Sequence, residues 1–471
     1  MPIIALTLFL LFSAWLVAQD CWRRTSVSAA VWIPTALLLI LGSRPVSLWV
    51  SGSHVALSEM GNEMAGSSLD AAFYLCVIVA SLLVASSRGF RWSRLFAANR
   101  TILLFYLYFA ISVCWSGDPA GSFKRLAKDF GLLFVIGVVF SEKDPLQAIR
   151  AVFVRCAFVL IPLSVALVKY FPAYGRDFSI RGDIMVTGVT TQKNSLGEIV
   201  LIFTLFLVWD FLETKRAGAK PRWQQIPWDR LILLLMAAWL LHLSQSKTAL
   251  VCTLLGSFLV LRSNWLCSRA IDRAVLIGAL LLPFLLLFSQ QFSSAIAPLV
   301  TALGRSMTFT GRTDIWAHIT LNTVNPIIGS GYWNFWGGPG GYAISQTMNT
   351  LVPNAHCGYF DLYLDGGMIG LAMLFVLLVV CGFRIVNNLK LRREAKWYVR
   401  VRFAVLIAAI IYNLTESTFA RMGPIWFTTL MMMVEYPFSV AKARAGASVA
   451  RKGPSSIDHK APVLVSRYLA G

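Results

Sequence analysis

The chain has 471 residues, of which 57% are hydrophobic and only 14% are charged, with a formal net charge of +20. Soluble domains average about 25% charged residues. The composition therefore excludes disordered, collagen-like and small disulfide-rich proteins, and it argues against a soluble enzyme. The positive charge alone is typical of nucleic-acid-binding proteins. Its distribution excludes that class, because Lys and Arg lie between apolar blocks long enough to span a bilayer.

Apolar segments follow one another along the whole chain and predict transmembrane helices. They cover residues 2–18, 28–41, 69–86, 101–115, 130–140, 151–168, 196–212, 231–243, 249–261, 274–288, 368–383, 403–414 and 425–440. Whether the first segment, residues 2–18, crosses the whole membrane is left open by the sequence. We therefore predict an all-α polytopic integral membrane protein with about 12–13 transmembrane helices.

The Lys and Arg residues divide unevenly between alternate loops and so predict the orientation. One set of loops, together with the C-terminal tail, holds 29 of the 42 Lys and Arg residues. Cytoplasmic loops carry an excess of Lys and Arg, so we assign this set to the cytoplasm. With the acidic residues included, the cytoplasmic side carries +19 and the outer side zero. The net charge is thus a signal of topology and not of a polyanionic partner.

Two outward segments are long, and loops beyond roughly 12–15 residues are usually functional. We expect an N-terminal bundle of about ten helices over residues 1–288, interrupted by a periplasmic loop at 169–194. A large helical periplasmic loop is predicted at 289–367, followed by C-terminal transmembrane helices at 368–440. Residues 441–471 read as a basic, disordered cytoplasmic tail, held to anionic lipid.

The first long loop carries three basic residues, Arg176, Arg181 and Lys193. A guanidinium group suits bidentate phosphate binding and an ammonium group adds a point charge. The alternative is ordinary interfacial snorkelling. The second loop predicts a helix on which Arg312 and Trp316 share a face.

A run of aromatic residues flanked by glycines follows in the second loop, from residue 329 to residue 338. Trp333 and Trp336 belong to this run, and Tyr359 follows it. They are interpreted either as an interfacial aromatic belt or as surfaces that stack on sugar rings. The sequence leaves both interpretations open.

His356 lies just before a predicted membrane span, where an imidazole can act as an acid or base. Asp361 and Asp365 follow it at a spacing that puts both on one helix face. Other candidates at membrane boundaries are Lys124, Arg125, residues 244–248, and Glu416 with Arg421. A metal site is not expected, because the five His residues are scattered and show no ligand spacing.

Five stretches in this order resemble the O-antigen ligase and polysaccharide polymerase family of bacterial inner-membrane proteins, and among these the ExoQ-type exopolysaccharide production proteins. They are residues 192–198, 243–250, 311–316, 326–332 and 355–370. The chain departs from the family pattern in two places: Cys357 stands where Asn is usual, and Asp365 where Glu is usual.

The resemblance implies a helical glycosyltransferase of the GT-C-like type, with no cofactor, no nucleotide sugar and no required metal. It implies that Arg181 and Arg312 bind the diphosphate of an undecaprenyl-diphosphate-linked oligosaccharide, assisted by Lys193. His356 would lie at the reacting end. Supporting roles are expected for Arg176, Arg125, Asp361, Asp365 and Glu416, and sugar stacking for Trp333, Trp336 and Tyr359.

The predicted function is polymerisation of exopolysaccharide repeat units at the periplasmic face of the inner membrane, with inversion at the anomeric carbon. One alternative is a ligase that transfers the lipid-linked glycan to lipid A core. An alternative from another class is a transporter, or flippase, for lipid-linked glycans. Expected partners are the lipid-linked donor and acceptor, the bilayer, and other polysaccharide assembly and export proteins; no nucleic acid is expected.

Overall fold

Helices account for nearly all the regular structure of the described residues. The computed structural model describes residues 2–52, 67–178, 182–217, 227–262, 268–287, 312–321, 324–389 and 396–436. Inside lipid every backbone N–H and C=O group needs a partner within the chain, and an α-helix provides one for each. Every predicted apolar segment accordingly contains a helix within these residues.

The helices are α1 (Pro2–Arg23), α2 (Trp32–Leu41), α3 (Val46–Ser51), α4 (Ser68–Ser87), α5 (Trp92–Ala98), α6 (Arg100–Ser112), α7 (Pro119–Phe140), α8 (Pro145–Tyr170), α9 (Pro172–Gly175), α10 (Lys193–Ala217), α11 (Trp228–Ser244), α12 (Lys247–Leu261), α13 (Arg269–Leu287), α14 (Arg312–Leu321), α15 (Pro339–Thr347), α16 (Gly358–Asn388), α17 (Lys396–Tyr412) and α18 (Pro424–Met433). One antiparallel pair of short strands, β1 (Arg176–Phe178) and β2 (Ile184–Val186), lies between α9 and α10.

Among the described residues, five helices are long and apolar enough to cross a membrane: α1, α4, α8, α10 and α16. Helix α5 together with α6 and the short 3₁₀ turn that follows it passes the same test as a pair bent by 91°, the geometry of a broken span or of a re-entrant loop. The all-α polytopic membrane class is confirmed, whereas the count of 12–13 spans is not reached by this measure. Helix α7 shows one reason, since four charged residues, Lys124, Arg125, Lys128 and Asp129, occupy its first half.

Helices α8 and α10 form the centre of the bundle. In their apolar windows 89% and 78% of residues are buried, against 11% in α1 and 17% in α4. Burial on all sides requires apolar residues all round the helix, which the two central sequences provide. The outer helices expose large apolar side chains such as Leu8 and Leu83, which is the pattern of helices that face lipid.

A buried carboxylate joins four helices at one end of the bundle. Asp210 of α10 accepts from Arg24 at 2.6 Å, from Arg150 of α8 at 2.6 Å and from Arg230 of α11 at 3.0 Å. Arg24 follows α1 directly and also pairs with Asp20 of that helix at 2.6 Å. The three arginines come from segments assigned to the same side of the membrane, so the contacts group these segments as the sequence predicts.

Arg155, the cation predicted inside a span, is paired as well. Its Nε donates to Asp20 Oδ2 at 2.9 Å, and its guanidinium lies 5.1 Å from the centre of the Trp32 ring. Burying an unpaired ion costs several kcal/mol. The pairing explains how a 3% exposed arginine side chain is tolerated in the bundle.

At the opposite end, which we call the site end, helix α16 is broken at Gly367. This residue has φ 61° and ψ −161°. Residues 326–331 run alongside the break: Met368 N donates to Pro326 O at 2.8 Å and Gly331 N donates to Asp365 O at 2.9 Å. The predicted span at 368–383 thus begins immediately after the break. The residues before it form a separate short helix at the site end.

The break makes Gly367 a sensitive position for stability. Its backbone conformation is almost confined to glycine, and a methyl group there would collide with the backbone of Ile327. We expect Gly367→Ala to lower the free energy of unfolding by at least about 2 kcal/mol, measured by thermal unfolding of the purified full-length protein in detergent. Gly278→Ala is the matched control, because that glycine lies in α13 with nothing within 4 Å. Equal melting temperatures for the two variants would contradict this account of the break.

Candidate active site

The turn that carries His356 is held in an unusual backbone conformation. His356 has φ 49°, a left-handed value that costs non-glycine residues about 1–3 kcal/mol and occurs often at functional sites. The Asn354 side chain accepts from His356 N at 2.9 Å, and Ala355 N donates to Asp361 at 2.9 Å. These bonds fix the imidazole in front of α16.

Gly358 brings this turn against the loop that follows α17. Its N–H lies 2.9 Å from Asn413 O and 3.0 Å from Glu416 O. A methyl group on Gly358 would collide with the Asn413 side chain, so the close approach requires glycine. Asn413 in turn accepts from the backbone N–H of Thr418 and Phe419, both at 2.9 Å. The loop with Glu416 is therefore ordered where it meets His356.

Arg312 and His356 both lie next to the carboxylate of Glu416. Glu416 Oε1 accepts from Arg312 Nη2 at 2.7 Å, and Glu416 Oε2 lies 4.0 Å from His356 Nδ1. Arg312 Nη1 also donates to Thr415 O. The side chains of Arg312, Glu416 and His356 are 16%, 12% and 31% exposed. The imidazole is thus the most accessible member of the group.

The pKa of His356 is lowered from its ordinary value, and burial is the largest cause. The guanidinium of Arg312 acts in the same direction, while Glu416 and Asp361 oppose it. His356 is therefore neutral at pH 7. A neutral imidazole can accept a proton from a hydroxyl group, and the nearby Glu416 carboxylate would stabilise the resulting cation.

Cys357 differs from the residue usual in the family pattern, and the structure shows its state. It is buried and precedes the first residue of α16. Burial raises the pKa of its thiol to about 12. The side chain is therefore a neutral, packed thiol.

Two further helices begin beside the Glu416 loop. Tyr412 Oη donates to Asn194 O at 3.1 Å, at the start of α10. Thr248 and Thr415 share a hydrogen bond of 2.6 Å between their hydroxyl oxygens, at the start of α12. The first residues of these helices are Lys193 and Lys247. Helix N-termini and lysines both favour anions, so this edge of the site has an anion-binding character.

Arg421 organises the second half of the site. Its Nη2 donates to Asp365 Oδ2 at 3.0 Å and lies 3.7 Å from Asp361 Oδ2. Its guanidinium stacks 4.4 Å from the centre of the Trp333 ring. The sequence indicated Arg421 only as a residue at a membrane boundary. Its pairing with the two aspartates became visible only when the fold brought α16 and the loop before α18 together.

Asp361 serves as an acceptor for several surrounding groups. It accepts from Trp336 Nε1 at 2.8 Å, from Ala355 N at 2.9 Å and from the Ser417 hydroxyl. Its side chain is 2% exposed. These bonds assign Asp361 to positioning, because a carboxylate engaged in this way is poorly placed to take a proton from a substrate.

The three predicted sugar-stacking residues differ in accessibility. Trp333 is half-buried, with its Nε1 donating to Ala420 O at 3.0 Å. Trp336 is buried and bonded to Asp361. Tyr359 is 1% exposed and its ring packs against Phe375 and Phe419. The structure thus places Trp336 and Tyr359 in the protein interior and leaves Trp333 at the edge of the site.

The remaining predicted basic residues lie in different places. Arg125 Nη1 donates to Trp333 O at 3.2 Å, so it lies next to the site. Arg176 is exposed on β1, and its Nε donates to Val168 O at 3.2 Å. Arg181 lies outside the described residues, as do positions 289–311 and 322–323 of the predicted large loop and the whole tail 441–471.

One buried carboxylate near the site was missed by the sequence analysis. Asp129 Oδ2 lies 3.0 Å from Tyr106 Oη, 3.1 Å from Tyr332 Oη and 3.2 Å from Trp426 Nε1. The Tyr332 hydroxyl is also 2.9 Å from Ala420 O, next to Arg421. The available signal was a single acidic residue directly before an apolar segment. Among the described residues, no group of three or more His, Cys, Asp or Glu side chains is arranged to hold a metal ion.

The fold and this cluster define a polytopic helical membrane protein with an ionic, histidine-containing site at one end of its bundle. Residues 231–375 match the O-antigen ligase family. This match supports the resemblance to the O-antigen ligase and polysaccharide polymerase family, and it does not address the ExoQ-type subgroup. The matched region contains Arg312 and His356. No curated protein matches the chain.

The neutral state of His356 predicts a pH dependence for the transfer reaction of the family. Its pKa is lowered from the ordinary value of 6.5. Above this lowered pKa the imidazole is neutral and can act as a base, and as the pH falls through the pKa the imidazole is protonated and can no longer do so. The acid limb of kcat/KM should therefore lie below pH 6.5, and His356→Gln should remove that limb and reduce the rate roughly 10²–10⁴-fold. His242→Gln, which changes an exposed histidine of α11, should leave the profile unchanged. A full rate with His356→Gln would exclude the base role.

Proposed function

We propose that this protein polymerises undecaprenyl-diphosphate-linked polysaccharide repeat units at the periplasmic face of the inner membrane. Members of the O-antigen ligase family are membrane ligases and polymerases that act on lipid-linked glycans. The observation that carries the proposal is the convergence of Arg312, Glu416 and His356 at one end of the bundle, 2.7 Å and 4.0 Å apart through the shared carboxylate.

The diphosphate of the donor is assigned to the basic edge of this cluster. A guanidinium group has five N–H donors. Arg312 donates to Glu416 through Nη2 and to the carbonyl oxygen of Thr415 through Nη1. The N-termini of α10 and α12, with Lys193 and Lys247, add positive potential beside it. Arg181 lies outside the described residues and remains a predicted ligand of the diphosphate.

The proposed reaction is a single displacement. The acceptor hydroxyl attacks the anomeric carbon of the donor, the bond from that carbon to the diphosphate oxygen breaks, and the lipid diphosphate leaves. Negative charge grows on the leaving group, so fixed cations stabilise the transition state more than the ground state. His356 takes the proton of the attacking hydroxyl, and Glu416 stabilises the imidazolium. Attack opposite the leaving group inverts the anomeric centre.

A second candidate function is ligation of a finished glycan to an acceptor such as lipid A core. It is favoured by the description of the matching family, O-antigen ligase. Donor chemistry is the same in both reactions, and they differ in the acceptor. A flippase would move the lipid-linked glycan without breaking the bond to the diphosphate.

In vitro transfer by the purified full-length protein in liposomes tests the proposal. The liposomes contain the undecaprenyl-diphosphate-linked repeat unit of the host and, as an alternative acceptor, lipid A core, without ATP or an ion gradient. We expect a ladder of lengthening products, and a roughly 10²–10³-fold lower rate for Arg312→Ala because a transition-state cation is lost. Arg269→Ala, at an exposed position at the other end of the bundle, is the control and should retain activity.

The products separate the candidates. Single additions to lipid A core, with no ladder, would replace polymerisation by ligation. Movement of the lipid-linked glycan across the bilayer without transfer would contradict both enzymatic functions. An unchanged rate for Arg312→Ala would remove the site assignment even if a ladder forms.

A further inference from the structure

A cavity of about 470 Å³ lies at the site end, apart from the ionic cluster. It is lined by Trp115, Val324, Asn325, Ser330, Asn334, Phe335, Pro339 and three glycines. Small-ligand sites usually measure about 300–1,000 Å³, so the cavity is large enough for part of a substrate. Nothing in the reaction described above uses it.

One stretch of chain separates this cavity from the ionic cluster. Ser330 lines the cavity, while its Oγ donates to Leu364 O of α16 at 2.9 Å. Phe335 also lines the cavity, and the next residue, Trp336, donates to Asp361 at 2.8 Å. Residues 330–336 are thus a shared wall.

The lining is mixed polar and apolar, and it is uncharged. It combines two amide side chains and a hydroxyl group with aromatic, aliphatic and glycine surfaces, and none of the lining residues is acidic or basic. A diphosphate would require cations, and an acyl chain would remove water from the exposed Asn325 amide nitrogen without replacing its hydrogen bonds. A neutral polar ligand with apolar faces fits this lining best.

The aromatic surface and one amide are held in fixed orientations. Trp115 Nε1 donates to Ile328 O at 3.3 Å, which fixes the indole edge and leaves its ring as a surface. Asn325 Oδ1 lies 3.0 Å from Ile327 N and 3.3 Å from Ile328 N. Its amide nitrogen can therefore donate to a ligand while the oxygen maintains the turn.

The wall is formed before any ligand binds. Asn334 Oδ1 accepts from Asp118 N at 3.2 Å, and its Nδ2 donates to Ser330 O at 3.0 Å. A methyl group on Gly117 would lie 3.3 Å from the Asn334 side chain, and one on Gly340 would lie 2.5 Å from the Phe335 ring. These tight contacts keep the cavity open at low entropic cost to a ligand.

We propose that this cavity is a subsite for neutral sugar units of the glycan, next to the unit that reacts at His356. The inference rests on the proposed function, because it takes the reacting molecule to be a glycan. A pyranose ring presents hydroxyl groups to Asn325 and Ser330 and a C–H face to Trp115. The uncharged lining selects neutral sugars over sugar acids.

The test measures binding of neutral oligosaccharides of one to four repeat units, prepared by partial hydrolysis of the host polysaccharide, to the full-length protein in nanodiscs. Trp115→Leu should weaken binding about tenfold, whereas Trp115→Phe keeps an aromatic face and should bind within about threefold of wild type. Asn325→Asp retains the turn acceptor but loses the amide donor, and it should also weaken binding. Tyr342→Leu, at an exposed position of α15 outside the cavity, is the control.

A second probe, undecaprenyl diphosphate without a glycan, separates failure of this subsite from failure of the proposed function. Arg312→Ala should weaken its binding and Trp115→Leu should not. If the lipid result holds while Trp115→Leu binds oligosaccharide normally, the subsite is wrong and the function stands. If Trp115→Leu loses oligosaccharide binding while Arg312→Ala leaves lipid binding unchanged, the diphosphate site assigned to Arg312 in the proposed function is wrong and the glycan subsite stands. Equal losses for Trp115→Phe and Trp115→Leu, or competition by phospholipid acyl chains, would overturn the subsite.

Discussion

Ion pairs between helices determine how this bundle is assembled. A charge inside a low-dielectric bundle costs several kcal/mol unless an opposite charge and hydrogen bonds meet it. Asp210, with arginines from three other segments within 3.0 Å, can be satisfied in only one arrangement of α8, α10, α11 and the residue that follows α1. Apolar packing alone gives less selectivity among similar helix faces. The charges therefore determine which helices are neighbours, and the apolar residues supply the bulk of the contact.

Ion pairs also join helices at the site end, but there the opposite charges are paired less completely. Around Asp210 the arginines outnumber the carboxylate and all lie close to it. Around Glu416 a single carboxylate serves Arg312 at 2.7 Å and His356 at 4.0 Å. A carboxylate shared in this way can respond when charge appears on the imidazole or when an anion approaches the guanidinium. The residues that hold the cluster, Asp361 and Asn413, are fully engaged, so the surrounding frame is rigid.

Much of this arrangement could be predicted from sequence, and the failures have a physical pattern. Hydrophobic blocks indicate helices, and spacing indicates which residues share a face, so the helical membrane class could be predicted. The pairing of Arg421 with Asp365 could not be predicted, because the two residues are 56 positions apart in the chain and helical periodicity does not relate them. Tyr359 illustrates the same limit: sugar stacking is predicted for it, and the structure packs its ring against Phe375 of α16 and Phe419 of the loop before α18.

The break at Gly367 has a consequence for how the protein meets its lipid substrate. The short helix before it, residues 358–366, rises about 13 Å at 1.5 Å per residue, and backbone bonds at 326–331 hold it to the membrane span. His356 is therefore kept at a set height relative to that span. A lipid-linked diphosphate takes its own height from the bilayer surface. The two heights coincide only for a limited range of bilayer thickness, so lipid composition becomes a determinant of how well the substrate and the imidazole are aligned.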